Sequence, residues 1–441
     1  MSLYKVTTFY WVFNIFLLFL YNDIIKLDIH QKVLGYIVME SISVSHRIHI
    51  AFYGRCNSGK SSLINALTGQ EVAIVSDIAG TTTDLVSKPI ELPEIGATIL
   101  IDTPGLDDNT ALGEQRTSQT LKAISKTDIA VVLFSSEDTS VEEAFIGQLK
   151  TREIPVVGVV SKCDTMQNEA SFIAKVNDII GSEPIALSAT TKEGIDSLLS
   201  QLATFAQQET RLISDGLCES GDTVVLVMPQ DAQAPKGRLI KPQVEVLREL
   251  LDRGCNAFCC TPENLKSALN NLATPPQLII TDSQVFASVN AVVEEYREQN
   301  IENGGKKTLL TSFSILFARY KGDIDIFIEG GKKLLSLTPT SRVLIAEACS
   351  HIPQNEDIGR VKLPRMLRNR IGKELHIDIV GGNDFPTDLS QYDLVIHCGA
   401  CMFNRRHVMS RVAQTKAQNV PITNYGIALA TLSGIIDKVA Y

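Results

Sequence analysis

From Ser45 to about Ala206 the chain alternates short, almost wholly apolar runs with longer stretches of helical spacing. The runs Ile48–Tyr53, Thr98–Asp102, Ile129–Phe134, Val156–Ser161 and Pro184–Leu187 read as strands buried on both faces. Such alternation predicts a mainly parallel sheet with helices on both sides. A second α/β stretch begins near Asp222. Its expected strands are Thr223–Met228, Ala257–Thr261 and Gln277–Thr281, and its expected helices are Lys241–Asp252 and Pro262–Leu272, the latter with proline near its first turn. The polar, glycine-containing segment Glu298–Lys307 reads as a turn or boundary. In the last third, Ser341–Glu347, Leu375–Val380 and Asp393–His397 are expected strands separated by helical segments. The pattern shows no internal repeat and no low-complexity tract. It divides the chain into an N-terminal extension (1–44) and three α/β domains (45–206, 213–305 and 306–441).

The extension does not follow this pattern. Phe9–Tyr21 is apolar and aromatic, but shorter than the roughly 18 residues a membrane span needs, and no small-residue cleavage site follows it. Two readings stand. Translation begins at Met39, just ahead of the first strand, or the segment is an anchor or organelle-targeting sequence on an otherwise cytoplasmic protein.

Gly54-Arg-Cys-Asn-Ser-Gly-Lys-Ser61 fits G-x-x-x-x-G-K-[ST], and it joins an expected strand to an expected helix, the context the motif requires. Gly54, Asn57, Ser58, Gly59, Lys60, Ser61 and Ser62 would cradle phosphates with backbone N–H groups at a helix N-terminus. Lys60 adds charge for the terminal phosphates, and the Ser61 hydroxyl is placed for Mg²⁺. Four further elements follow in order. Gly80–Asp84 fits a first switch, with Thr82 completing the Mg²⁺ shell. Asp102-Thr-Pro-Gly105 fits D-x-x-G, with Asp102 reaching Mg²⁺ through water and the Gly105 N–H sensing the terminal phosphate. Ser161-Lys-Cys-Asp164 fits [NT]-K-x-D. There Asp164 accepts from the guanine N1–H and amino group, and Lys162 packs along the base. Ser188-Ala189 fits the last base-contacting loop. Lys60, Thr82 and Gly105 are the candidate catalytic groups.

Five elements in this order resemble the Era/TrmE branch of GTPases. Ser161 departs from that branch, which usually carries Asn or Thr there. The resemblance implies GTP, Mg²⁺ and, through Asn57, a K⁺ ion beside the phosphates; a simple turn residue is the other reading of Asn57. Leu106 follows Gly105 where Ras-type enzymes carry a water-orienting glutamine, and an apolar side chain cannot orient water. Slow, potassium-activated hydrolysis is expected.

Net charge is −9 with no dense Lys/Arg tract, which argues against a nucleic-acid partner. Nine cysteines, an odd number, form no evident disulfide framework. Three of them make a second signal. Cys349-Ser-His351 and His397-Cys-Gly-Ala-Cys401 each follow an expected strand, where open α/β sheets form ligand crevices. On ligand chemistry alone, a closed zinc site, an iron–sulfur cluster with a non-cysteine fourth ligand, and a purely structural role remain open. Cys255, Cys259 and Cys260 read as core thiols, Cys56 and Cys163 as variable motif positions, and His376 as structural. Arg405, Arg406 and His407 are either charge beside the cysteines or a solvated helix face.

The combination of this GTPase pattern, an intervening α/β domain and C-x-H…H-C-x-x-C resembles the HydF family of FeFe-hydrogenase maturation GTPases over about residues 45–441. The resemblance implies a P-loop GTPase domain, an α/β dimerisation domain (213–305) that makes a homodimer, and an α/β cluster-binding domain. It implies a 4Fe–4S cluster on Cys349, Cys398 and Cys401 with His351 or His397 as fourth ligand. It also implies a scaffold role, in which a transient di-iron precursor passes to apo FeFe-hydrogenase alongside maturation proteins of the radical SAM type. Two alternatives are a carrier whose hydrolysis is incidental and a ribosome- or tRNA-associated GTPase with a zinc-bound C-terminal domain.

Overall fold

The computed structural model describes residues 47–69, 86–107, 113–166, 169–208, 211–230, 239–301, 307–348, 357–382, 384–400 and 402–441. The N-terminal apolar run and Met39 lie outside them. Among the described residues no helix is long and apolar enough to cross a membrane.

The first domain comprises β1 (Ile48–Gly54), α1 (Lys60–Thr68), β2 (Val86–Leu92), β3 (Gly96–Asp102), α2 (Gly113–Ile124), β4 (Ile129–Phe134), α3 (Ser140–Thr151), β5 (Val156–Ser161), α4 (Glu169–Ile180), β6 (Ile185–Leu187) and α5 (Ile195–Gln208). Its sheet runs β2-β3-β1-β4-β5-β6, parallel except for β2. The parallel strands are apolar throughout because helices cover both faces; every residue of β4 is buried. The apolar pattern did not reveal β2. Its exposed Pro89 fits only an edge strand, which loses nothing by lacking a ladder donor.

The second domain holds β7 (Thr223–Val227), α6 (Lys241–Asp252), β8 (Asn256–Cys260), α7 (Leu265–Asn270), β9 (Leu278–Thr281), α8 (Phe286–Ile301), β10 (Leu309–Ser312) and α9 (Phe313–Lys321), with a parallel sheet ordered β10-β9-β7-β8. Two expectations need correction. The single helix expected over 262–272 is a 3₁₀ turn, Pro262–Asn264, followed by α7. The boundary at 305/306 falls inside this domain, because β10 pairs with β9. Of the polar segment before it, Glu298–Ile301 belong to α8, and residues 302–306 lie outside the described residues.

The third domain follows as α10 (Ile324–Leu334), β11 (Arg342–Ala346), α11 (Leu363–Ile371), β12 (His376–Val380), β13 (Leu394–His397), α12 (Arg405–Ala417), β14 (Ile422–Asn424) and α13 (Tyr425–Leu432). Its parallel sheet is ordered β12-β11-β13-β14. Side-chain caps start three of its four described helices: Asp323 accepts from the Ile326 N–H, Asn404 from the His407 N–H and Asn424 from the Ile427 N–H. The second and third domains share one apolar core, in which Val225, Ile279 and Leu310 join Leu344, Val395 and Ile422.

Candidate functional site

Strand β1 delivers the chain to Gly54, whose positive φ of 151° and close approach to the Leu133 carbonyl exclude a side chain. Gly59 takes φ 96° just before α1 begins, so the backbone turns back under the helix N-terminus. The Lys60 ammonium bridges the loop, donating to the Gly54 carbonyl at 3.0 Å and the Arg55 carbonyl at 2.8 Å. Burial holds its pKa below the usual lysine value, against the attraction of Asp102. Ser62 opens the helix behind it, half-buried.

Ser61 Oγ donates to Asp102 Oδ2 at 2.6 Å, while Asp102 Oδ1 is buried with no partner. Burial pushes the Asp102 carboxyl above its ordinary value, opposed by the Ser61 hydroxyl and Lys60. A hydroxyl and a carboxylate side by side, with one oxygen orphaned, form a hard oxygen set suited to Mg²⁺. Thr82, expected to complete that set, lies outside the described residues. The D-x-x-G segment rests on the phosphate loop. The Leu106 N–H donates to the Gly54 carbonyl at 3.1 Å, the Cys56 N–H donates to Asp107 at 2.7 Å, and any side chain on Gly105 would collide with Cys56. Asn57 is exposed at φ 57°. Ser58 is buried, its hydroxyl unpartnered.

At the base end, the Ser161 hydroxyl donates to the Ser58 carbonyl at 2.7 Å and the Phe134 carbonyl at 3.2 Å. It therefore ties the base-reading segment to the phosphate loop despite departing from Asn or Thr. Lys162 turns the chain at φ 61° and Asp164 is exposed in the 3₁₀ turn that follows. Ser188 is buried and accepts from the Thr191 N–H at 3.2 Å, beside half-buried Ala189. Sequence reasoning missed Arg55, which pairs with Asp138 at 2.8 Å and with buried Glu142 at 3.3 Å, fastening the loop to α3. No motif marks either carboxylate.

In the third domain, β11 and β13 are adjacent, with Ala346 level with His397 and the Cys398 N–H bonded to the Ala346 carbonyl at 2.9 Å. The two cysteine-bearing segments thus leave neighbouring strands at their carboxyl ends. Cys349, His351 and Cys401 lie outside the described residues. Among the described residues no three metal-binding side chains converge. Cys398 Sγ accepts from the Ala348 N–H at 3.0 Å and the Ala400 N–H at 3.4 Å. Ala400 reaches this position by adopting φ 53°. Two amides aimed at one sulfur favour thiolate, the form that ligates iron or zinc.

His397 is in a different situation. It is 1% exposed; its Nε2 meets the Arg411 Nη1 at 3.0 Å and its Nδ1 meets the Cys398 carbonyl at 2.8 Å. A guanidinium only donates, so Nε2 is the acceptor and Nδ1 carries the proton. Burial, then the Arg411 charge, pushes the imidazole pKa down to about 3. Both nitrogens of His397 are thus engaged by protein groups in this structure, while His351, the other expected fourth ligand, lies outside the described residues.

The flanking residues also resolve. Arg405 donates to the Tyr320 carbonyl at 3.3 Å and to that of Gly322, while His407 is buried against Phe403, ring centroids 3.7 Å apart. Neither lies on a solvated face. Of the thiols expected in the second core, Cys255 is buried, but Cys259 is exposed on edge strand β8.

The profile of the hydrogen maturase F dimerization domain matches residues 212–322, and that of the hydrogen maturase F tetramerization domain matches 325–440. A third profile, 50S ribosome-binding GTPase, matches 49–162. Among curated relatives, the tRNA modification GTPase MnmE of Chromobacterium violaceum is 37% identical over 157 residues, covering 35% of this chain and 34% of that protein. GTPase Der of Fusobacterium nucleatum is 29% identical over 233 residues, covering 49% of this chain and 52% of that protein. The chain thus spans a third to a half of the length of the curated relatives it matches. Among solved structures, Era in complex with MgGDPNP and 16S ribosomal RNA nucleotides aligns with a TM-score of 0.34 at 18% identity, covering 49% of this chain and 94% of that one.

Proposed function

The chain belongs to the HydF family of hydrogenase-maturation GTPases, and from that premise we propose that it is a scaffold that carries a di-iron precursor to apo FeFe-hydrogenase. The observation that supports this best is the Cys398 sulfur, held by two backbone amides at the carboxyl ends of adjacent parallel strands. Cys349, Cys398 and Cys401 would hold a 4Fe–4S cluster, with His351 as the chain's own fourth ligand. When bound, such a cluster supplies an exchangeable iron position for cargo. The radical SAM maturation proteins would supply that cargo.

In the nucleotide domain, Lys60 and the loop amides hold the phosphates, Ser61, Asp102 and Thr82 hold Mg²⁺, and Asp164 selects guanine. Leu106 offers no hydrogen bond to an attacking water, so hydrolysis is slow, and Asn57 recruits K⁺ to offset charge developing on the phosphates. The second domain supports the homodimer: among the described residues β8 pairs only with β7, and it carries Phe258, 49% exposed, while α6 carries Val244 and Leu251, 47% and 59% exposed.

Anaerobic reconstitution with iron and sulfide, followed by EPR of the reduced protein, tests the proposal. A 4Fe–4S signal lost in Cys349→Ser, Cys398→Ser and Cys401→Ser is the expected result. Stoichiometric zinc with no cluster signal would sink the scaffold role.

A further inference from the structure

Between Asp357 and Glu374 the chain carries Arg360, Lys362, Arg365, Arg368, Arg370 and Lys373 and no carboxylate, in a protein of net charge −9. Apolar residues interrupt these cations, so no basic tract stands out in sequence. The fold sorts them. Helix α11 buries Leu363 and Leu367 in one core with Val343, Ile345 and Ile396 of the sheet. Arg360 is committed inward, to buried Glu347 at 3.0 Å. Arg365, Arg368 and Arg370 stay exposed, and exposed Lys373 follows just past the end of the helix. Arg365 and Arg368, one turn apart, have no hydrogen-bond or ion-pair partner among the described residues. Exposed Arg248 and Lys266, by contrast, pair with Asp252 at 2.8 Å and Glu295 at 2.7 Å. Lys362, Arg365 and Arg368 follow at three-residue spacing, so like charges neighbour one another along one side of the helix. The helix dipole favours cations in the last turn, which gives Arg368 and Arg370 a local reason but leaves Arg365 without one.

We infer that the exposed side of α11 is a docking surface for a protein partner that presents clustered carboxylates. A guanidinium group binds a carboxylate through two parallel hydrogen bonds, and surface charge of this kind sets association rate and partner choice. A nucleic acid is the poorer fit. Arg365 to Arg370 spans only roughly 8 Å along the helix axis, room for few phosphates, and the remainder of an acidic chain repels an extended polyanion. The surface is built by α11 alone, so the inference stands apart from the cluster-binding role.

The test is fluorescence anisotropy of labelled hexaglutamate with the full chain at low ionic strength, with labelled hexauridylate as the phosphate counterpart. Wild type is compared with Arg365→Gln/Arg368→Gln and with Arg248→Gln/Lys266→Gln, which removes two exposed cations that already have carboxylate partners. The expected result is hexaglutamate binding by wild type that weakens about fivefold or more in Arg365→Gln/Arg368→Gln and is unchanged in the control. Glutamine is a comparable helix former, so both variants should melt as wild type does. No hexaglutamate binding by wild type overturns the inference, and so do equal losses in the two variants, which would reflect bulk charge. Tighter binding of hexauridylate than of hexaglutamate overturns it in favour of a nucleic acid. A melting point lowered in Arg365→Gln/Arg368→Gln would give the two arginines a structural role and overturn it as well.

Discussion

The side-chain amide of Asn404 donates to both carboxylate oxygens of Asp128, at 3.0 Å each, joining the third domain to the first across 276 residues of sequence. The same amide reaches the Lys126 carbonyl at 2.7 Å, and Asp128 also accepts from the His49 N–H at 2.8 Å. Between Lys126 and Asp128, the Thr127 hydroxyl meets that of Tyr53 at 2.7 Å, one residue before Gly54. Asn404 also caps α12, so the segment that follows the H-C-x-x-C motif is held by the base of the nucleotide domain. On the other side, Lys321 of α9 donates to the Ala400 carbonyl at 2.8 Å.

Asn404→Ala removes a cap and a charge-assisted contact, which together stabilise by about 2–4 kcal/mol. Calorimetry should show the main unfolding transition falling and separating into distinct domain transitions. Asn404→Asp, which brings a second carboxylate to Asp128, should be worse. Unchanged thermograms in both would show that the contact contributes nothing.

Asp102 gives a pH prediction. Its folded pKa is raised by burial above the ordinary 3.8, so its contribution favours the fold below that value and is lost as pH rises through the folded value. At neutral pH the ionised carboxylate is therefore a standing cost in the nucleotide-free domain, relieved by Mg²⁺. Asp102→Asn should raise nucleotide-free stability at pH 7, flatten its dependence on acid, and weaken Mg²⁺-dependent GTP binding by about tenfold or more, ~1.4 kcal/mol. Denaturant melts across pH 4–8, with and without Mg²⁺, check the sign.

Ser161→Ala leaves the Ser58 carbonyl without its 2.7 Å donor, a loss of about 1–3 kcal/mol shared between folding and loop order. GTP affinity should fall roughly 5- to 50-fold. Titration with a fluorescent GTP analogue measures this directly, and an affinity equal to wild type would show that the tether does not organise the loop.

Because both nitrogens of His397 are occupied, histidine-nitrogen hyperfine coupling to a reduced cluster should vanish in His351→Ala and survive in His397→Gln. Pulsed EPR of the two variants distinguishes them. Coupling lost only in His397→Gln would mean that the Arg411 contact breaks when the cluster binds.

Phe258→Asp places a charge on the open edge of β8 and should turn a dimer into a monomer by light scattering. Cys259, exposed on the same strand, offers a second readout through cross-linking between chains. A dimer that persists in Phe258→Asp would place the interface elsewhere.

What the sequence determined by itself was local. A phosphate loop is a contiguous segment whose glycines set its own backbone, and strands buried on both faces are apolar runs wherever they occur, so β1, β4, β5 and β7 are legible without tertiary information. The C-x-H and H-C-x-x-C pairs are legible for the same reason. What only the tertiary structure decided depends on residues brought together from far apart. Whether β10 closes the second domain depends on its pairing with β9. Whether His397 is free to bind metal depends on Arg411, a helix residue that carries no motif. Whether Asn404 does more than cap a helix depends on Asp128 in another domain. In each case the hydrogen-bonding capacity belongs to the residue type, but the partner that uses it is set by packing, and one-dimensional spacing does not encode it.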